Sequence, residues 1–415
     1  MTRFRRSIVL AGLVLTLLLL GTSCWNAVEL DRRALVMGVG IDKAKEEGKI
    51  ALTVQIVKPG QLPTPRRAPG PGPPVWVVTS TGYTVFDAVR NFVLQSGRKL
   101  FWAHMVVIVI SEEVAREGLA PVLDFFDRDA EPRRLSKVII AKGIAAKEIM
   151  KGQHELETIP AAAIRDLVEG FTSVSTAVSV NLNEFLKRMS AGGVEPVAAR
   201  IEVVAAEERE KAEEKALQSG DDGGMAEDPR LKAPPRFRVT GAAVFKGDRL
   251  AGWLNRPETR GYLWTQGKVV SGIVVLKCPQ NEKETIGIEL IRSEGEIKPR
   301  VQEGRVVAEV KVKAEAHVGD VLCPLDLTKP ETLRLLEKRM NTVIENEVRA
   351  AFRKAQEGLR ADIFGVGAAL HRSSPGQWKK LKDRWDEVFP EVQVEIKADA
   401  KIRRVNLVLK PAQPK

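Results

Sequence analysis

The chain has 415 residues, enough for two or three domains. With 44% hydrophobic and 29% charged residues it reads as globular and water-soluble apart from its leader, and its net charge of +11 favours an anionic membrane or wall polymer. An aromatic content of 5% and the lack of any nucleic-acid motif argue against nucleic-acid binding.

The leader comes first. Arg3, Arg5 and Arg6 precede an uncharged apolar run of 13 residues, Ile8 to Leu20. A spanning helix needs about 20 apolar residues, so this run is too short. The small residues Gly21, Thr22 and Ser23 then lead to Cys24. A basic segment, a short apolar segment and small residues make a secretory signal peptide, predicted over 1–23. The approach to Cys24 resembles the lipobox of bacterial lipoproteins, in which the cysteine thiol is alkylated by a diacylglyceryl group and becomes the new N-terminus. Gly21 stands where that pattern prefers Leu or another branched residue. Cys24 is therefore the candidate lipid-attachment site; ordinary cleavage near Cys24 and an uncleaved anchor are the alternatives. Loss of the three leader arginines lowers the net charge from +11 to +8.

"ALVMGVGID" and "KIALTVQIV" read as strands around a "KEEG" turn; Ile50, Leu52, Val54 and Ile56 share a face. Residues 58–74 hold seven prolines and three glycines and form an exposed loop. "VWVVTS" resumes a strand. Phe86, Val89 and Val93 then mark a helix, with Thr84 as N-cap and Gly97 as stop. "HMVVIVI", from His104 to Ile110, suits a central strand covered on both faces. A helix from Glu112, a buried strand at "KVIIAKG" and mostly helical 160–190 complete an N-terminal α/β region over 24–206.

Residues 207–235 change character. Glu207 to Lys232 holds nine acidic and five basic residues and no aromatic, which reads as a charged linker or insertion. A C-terminal α+β domain follows over 236–410. "RVTGAAVFKGDRLAGWLN" is a hairpin with "KGD" at its turn. "ETIGIELI" and "RVVAEVKVKAEAHV" alternate, predicting an antiparallel sheet. Glu331 to Leu359 is one long helix; shorter helices lie near Asp362–His371 and Gln377–Val388, and strand patterns at 392–398 and 405–409 close the chain. The fold class is α+β, multi-domain, with mixed sheets and packed helices, and a C-terminal antiparallel sheet flanked by a long helix.

The search for chemistry gives little. The histidines are His104, His154, His317 and His371, with no HExxH pair and no zinc spacing. His104 reads as a hydrogen-bonded structural residue at a strand head, and "HELE" at 154–157 as a solvated stretch. "GVGID" at 38–42 and "GVGAAL" at 365–370 lack the third glycine of a dinucleotide fingerprint and are assigned to close packing. No catalytic residue, cofactor site or metal site is predicted. Cys278 and Cys323 each precede a proline; a disulfide and two buried free thiols at strand ends both remain open. Trp378 and Trp385 lie seven apart on one face, among Lys379, Lys380, Lys382 and Arg384. The aromatics dock the helix, or else they contact a partner or membrane.

These pieces resemble the Ger(x)C family of spore germination lipoproteins. "CWNAVELDRRALVMGVGID" is similar to the family's mature start, and "GRKLFWAHMVVIVISEEVAREGL" to its N-terminal domain. "VTGAAVFKGDRLAGWLNRPETRGYLW" resembles its central signature. "ADIFGVGAALHRSSPGQWKKLKDRWDEVFPEVQVEIKADAKIRR" resembles its C-terminal one. The likeness spans nearly all of the mature chain; the loop at 58–74 and the insert at 207–235 depart from it. The resemblance implies a three-domain α+β fold, with two domains before 207 and the third after 235. It implies the non-enzymatic C subunit of a nutrient germinant receptor, lipid-anchored to the outer face of the spore inner membrane. Its partners would be an A and a B membrane subunit. Asp362 and Phe364 of "DIFG", with Trp378 and Trp385, are the candidate partner contacts. A solute-binding lipoprotein of a transporter is the competing class. It would show two lobes of repeated βα units, which the long strands from Glu284 to Val318 do not suit.

Overall fold

The computed structural model describes residues 33–62, 68, 70–152, 157–170, 174–204 and 236–405, with Phe4 and Ser7. Apart from Phe4 and Ser7, the predicted signal peptide lies outside the described residues, as do Cys24, His154 and the charged segment 207–235.

The first sheet has nine strands among the described residues. They are β1 (Arg33–Lys43), β2 (Ile50–Val57), β3 (Val75–Gly82), β4 (Lys99–Phe101), β5 (Val107–Ser111), β6 (Lys137–Ala141), β7 (Val197–Val203), β8 (Phe237–Lys246) and β9 (Arg249–Leu254). Their order is β3-β2-β1-β5-β6-β7-β8-β9, with β4 beside the start of β1. The centre, β1-β5-β6-β7, is parallel, and an antiparallel hairpin closes each side. The hairpin expected with the C-terminal domain is thus the last two strands of this sheet. The sheet runs without a break from 33 to 254, past the charged segment.

Burial on both faces explains the apolar run at β5. Val107 and Val109 enter one core, and Ile108 and Ile110 the other. Helices α1 (Val85–Ser96), α2 (Glu112–Glu117), α3 (Ala120–Arg128) and α6 (Leu182–Ser190) cover the isoleucine face. Helices α4 (Ala146–Lys151) and α5 (Pro160–Glu169) cover the valine face. Helix α1 starts where expected, the Thr84 hydroxyl accepting the Asp87 N–H, and stops at left-handed Gly97.

"GVGID" is a packing motif, as its sequence suggested. A Cβ on Gly38 would lie 2.8 Å from Ala161 and Val107; one on Gly40 would lie 2.9 Å from Met150. The two glycines let α4 and α5 press onto β1. Asp42 then holds α4, its carboxylate accepting the N–H groups of Ala146 (2.7 Å) and Lys147 (2.8 Å). Gln55 joins the two helices: its amide donates to the Met150 carbonyl and accepts from the Ala161 N–H, both at 2.9 Å.

His104 corrects its expectation. It lies ahead of β5, exposed, with its ring 6.0 Å from Phe101. The strand begins only at Val107, so no buried backbone ladder reaches the imidazole.

The second sheet is β10 (Ile273–Lys277), β11 (Thr285–Gln302), β12 (Arg305–Val321) and β13 (Gln393–Val405), in that order. β10, β11 and β12 are antiparallel as expected, but β13 runs parallel to β12. A parallel return needs a long crossover. Helices α7 (Arg256–Thr265), α8 (Pro330–Arg353), α9 (Val366–Ser373), α10 (Pro375–Leu381) and α11 (Trp385–Val388) complete this half; the last four lie in the crossover. The predicted long helix is α8 plus one π-helical stretch, Lys354–Leu359, which stops at left-handed Arg360.

Helix α8 also seals the free edge of β13. The N–H groups of Ala398, Ala400 and Ile402 donate to Glu345, Asn341 and Glu337. Four helical residues rise about 6.0 Å and two strand residues about 6.6 Å, so the two periods match. An edge strand left open invites pairing with another chain, and this row of acceptors occupies it. One apolar cluster runs from Ala34 to Ala400, so both sheets share a core.

Candidate functional site

The "DIFG" turn lies between the π-helical end of α8 and α9, and Asp362 is its centre. The first N–H groups of any helix lack intrahelical partners. Here one buried carboxylate collects them. Oδ1 accepts from Gly365 (2.8 Å) and Val366 (3.1 Å); Oδ2 accepts from Gly367 (2.9 Å) and from the indole Nε1 of Trp385 (3.1 Å). Gly365 supplies the left-handed turn into the helix, φ 75°. Burial pushes the Asp362 carboxyl up to about 6, and the four hydrogen bonds pull against that shift.

The same turn meets the N-terminal region. The Glu195 N–H donates to the Asp362 carbonyl at 2.8 Å, and the Ala368 N–H to the Gly193 carbonyl at 2.9 Å. Contact is this close because both sides carry glycine. A Cβ on Gly367 would lie 2.8 Å from the Cα of Gly193 and 2.7 Å from the Trp385 ring. Arg188, at the end of α6, donates to the carbonyls of Glu195 (3.3 Å) and Ile363 (3.0 Å) and to the Gln266 side chain (3.2 Å). Glu195 in turn accepts the Gly247 N–H at 2.6 Å, and burial raises its pKa.

Aromatic rings close over the junction. Trp378 meets Trp385 edge-on, centroids 5.3 Å apart, and His371 stacks on Trp378 at 5.9 Å. Phe364 stacks on Phe352 at 3.7 Å. The structure therefore brings Asp362, Trp378 and Trp385 together and places Phe364 nearby, but it buries all four. This corrects their reading as direct partner contacts. Their polar and ring surfaces are spent inside the chain, and the exposed charged residues around them are basic Lys379, Lys380, Lys382 and Arg384 together with acidic Asp383, Asp386 and Glu387.

A second buried carboxylate lies outside the residues that the sequence singles out. Glu347 of α8 is buried, pairs with the Arg260 guanidinium and accepts the Trp264 Nε1–H at 2.9 Å. Arg260 also donates to the Ile273 carbonyl at 3.1 Å, tying α7 and α8 to β10. The signal was available: Glu347 interrupts the apolar stripe Leu336, Met340, Ile344, Ala351.

Cys278 and Cys323 are bonded as a disulfide, with Cα atoms 6.5 Å apart. Together with Glu284 they bring three metal-type donors within 4.8 Å of one another, but the two sulfurs are bonded to each other. Around Asp362 all four acceptor positions are filled by the chain. Chemically the site is a charge-bearing clamp between two halves of one molecule.

The fold and this junction define a multi-domain α+β protein of two sheets sharing one core. Residues 26–203 match the family model "Spore germination protein N-terminal domain", and residues 240–406 match "Spore germination B3/ GerAC like, C-terminal". The chain belongs to the Ger(x)C family. It is similar to spore germination protein KC of Bacillus subtilis (strain 168), 29% identical over 409 residues and 97% of both chains. Spore germination protein B3 of the same organism is 24% identical, over 92% of this chain and 93% of the relative. The crystal structure of the GerBC protein shares the fold, with a TM-score of 0.52 at 19% identity, covering 88% of this chain and 97% of that one.

Proposed function

We propose that this chain is the lipid-anchored subunit of a nutrient germinant receptor in endospores, required for nutrient-triggered germination. The observation that carries the reading is the kinship with spore germination protein KC, which extends over 97% of this chain. The leader and the approach to Cys24 add export and a diacylglyceryl anchor. Two acyl chains hold a protein stably on a membrane, each buried methylene contributing about 0.8 kcal/mol. The protein would sit on the outer face of the spore inner membrane beside an A and a B membrane subunit. Its role is non-enzymatic. The partner contact passes from the buried tryptophans to the basic side chains beside them, Lys379, Lys380, Lys382 and Arg384.

Cys24→Ala, expressed in spores lacking both partner subunits, tests the anchor. The variant should leave the membrane fraction and appear in the soluble one. Full membrane retention would contradict the proposal.

A further inference from the structure

One end of the first sheet has the features of a membrane-facing surface. In a parallel sheet all strand starts lie at the same end. Arg33 opens β1, Lys99 opens β4, and residues 104–106 and 133–136 lead into β5 and β6. Contacts join these segments. The N–H of Val106 donates to Met37 and that of Lys137 to Val106, both at 2.9 Å; Arg33 pairs with Glu131 at 3.8 Å and lies 4.3 Å over the Phe101 ring.

Two leucines protrude here. Leu94, in the last turn of α1, is 86% exposed, and Leu135 is 70% exposed. Each stands among basic residues: Arg98 and Lys99 beside the first, Arg133 and Arg134 beside the second. Segments 97–104 and 129–136, with Arg33, carry five basic residues against the acidic Asp129 and Glu131. Arg98, Lys99 and Arg133 are exposed and have no ion pair among the described residues.

Position selects the occupant. Arg33 is nine residues after Cys24, so the connecting chain reaches at most about 30 Å. The rim sits where an anchored chain enters the fold, and the opposite end of β1, Lys43, is about 33 Å further on.

We propose that this rim docks on the bilayer. Leu94 and Leu135 enter the headgroup boundary, and Arg98, Lys99 and Arg133 meet anionic phospholipid. The proposal rests on the anchored-subunit reading, and its test separates the two. Leu94→Cys and Leu135→Cys, each in the full acylated chain, carry a polarity-sensitive fluorophore; Cys278 and Cys323 are occupied by their disulfide. Tyr83→Cys is the control, 69% exposed beside Lys49 at the opposite end of the sheet. The proteins are reconstituted on phosphatidylglycerol-containing vesicles with spin-labelled lipid as quencher. Labels at 94 and 135 should shift to the blue and be quenched several-fold more than the label at 83. Equal quenching at all three sites overturns the proposal, and so does a blue shift without lipid quenching, which means a protein partner covers the rim. A Cys24→Ala chain that stays on the vesicles with the labels at 94 and 135 still quenched refutes the anchor, not the rim. A parent chain that floats with the vesicles without excess quenching at 94 and 135 overturns the rim alone, and one that does not float overturns both.

Discussion

Trp385 donates its indole N–H to Oδ2 of Asp362, 23 residues earlier, at 3.1 Å. That bond joins the helix after the junction to the turn before it, inside a site that also collects the first N–H groups of α9. Trp385→Phe keeps an aromatic ring but removes the N–H donor together with the five-membered half of the indole. A hydrogen bond to a charged group contributes about 1.5–3 kcal/mol. The variant should lose stability in that range by denaturant unfolding, with the slope m unchanged. A change below about 0.5 kcal/mol, the scatter of neutral surface changes, would mean that the bond is not made.

Asp362 also predicts a pH dependence. Its folded pKa is raised to about 6 from 3.8, so the folded state binds the proton more tightly than the unfolded state. The resulting stability is fully present below pH 3.8 and is lost as pH rises through 6. The shift corresponds to about 3 kcal/mol. Asp42 and Glu195 are raised in the same direction by burial and add to the trend. Unfolding free energies between pH 4 and 7 should fall more steeply for the native chain than for Asp362→Asn, which does not titrate. Parallel curves would refute the assignment of this slope to Asp362.

Two glycines nine residues apart should respond oppositely to alanine. At Gly367 the new Cβ meets backbone and both tryptophan rings within 2.8 Å. Overpacking of this kind costs about 1–3 kcal/mol. At Gly376, in the first turn of α10, nothing lies within 4 Å, and alanine should be neutral or stabilising by up to about 1 kcal/mol. Midpoints of thermal unfolding for the two variants decide this; a stable Gly367→Ala would mean that the halves do not meet there.

The disulfide closes a loop of sequence separation 45. In the chain-entropy account a loop of that size stabilises by roughly 4 kcal/mol. Cys278→Ser/Cys323→Ser should lower the unfolding free energy by about 2–4 kcal/mol, and reduction should do the same to the native chain. An unchanged midpoint would show that the unfolded chain is already constrained.

Much of this fold was legible because local patterns carried it. The alternation from Ile50 to Ile56, the apolar run into Ile110 and the Thr84 cap each appear as the element they announce. The glycines of "GVGID" and Gly367 of "GVGAAL" read correctly as close approaches, whereas Gly365 is required for its left-handed turn. Strand pairing was not legible. Nothing local says that β8 joins β7 rather than β10, or that β13 returns parallel to β12, because those choices depend on partners far away in sequence. "DIFG" drew attention for a partner role, but burial is a property of the packed turn, so neither the four ligands of Asp362 nor the enclosure of Trp378 showed in the string. Glu347 shows in the sequence as a charge within an apolar stripe, but its partners Arg260 and Trp264 lie on a different helix and do not show there.

The central claim, a germinant receptor subunit, is tested most directly in spores deleted for this gene. Dipicolinic acid release would be followed after a panel of nutrients and after a trigger that bypasses receptors. The account predicts loss of the response to one nutrient class, restored by the gene in trans, with the bypass response intact. An unchanged response to every nutrient, in spores without a second copy of this family, would contradict it.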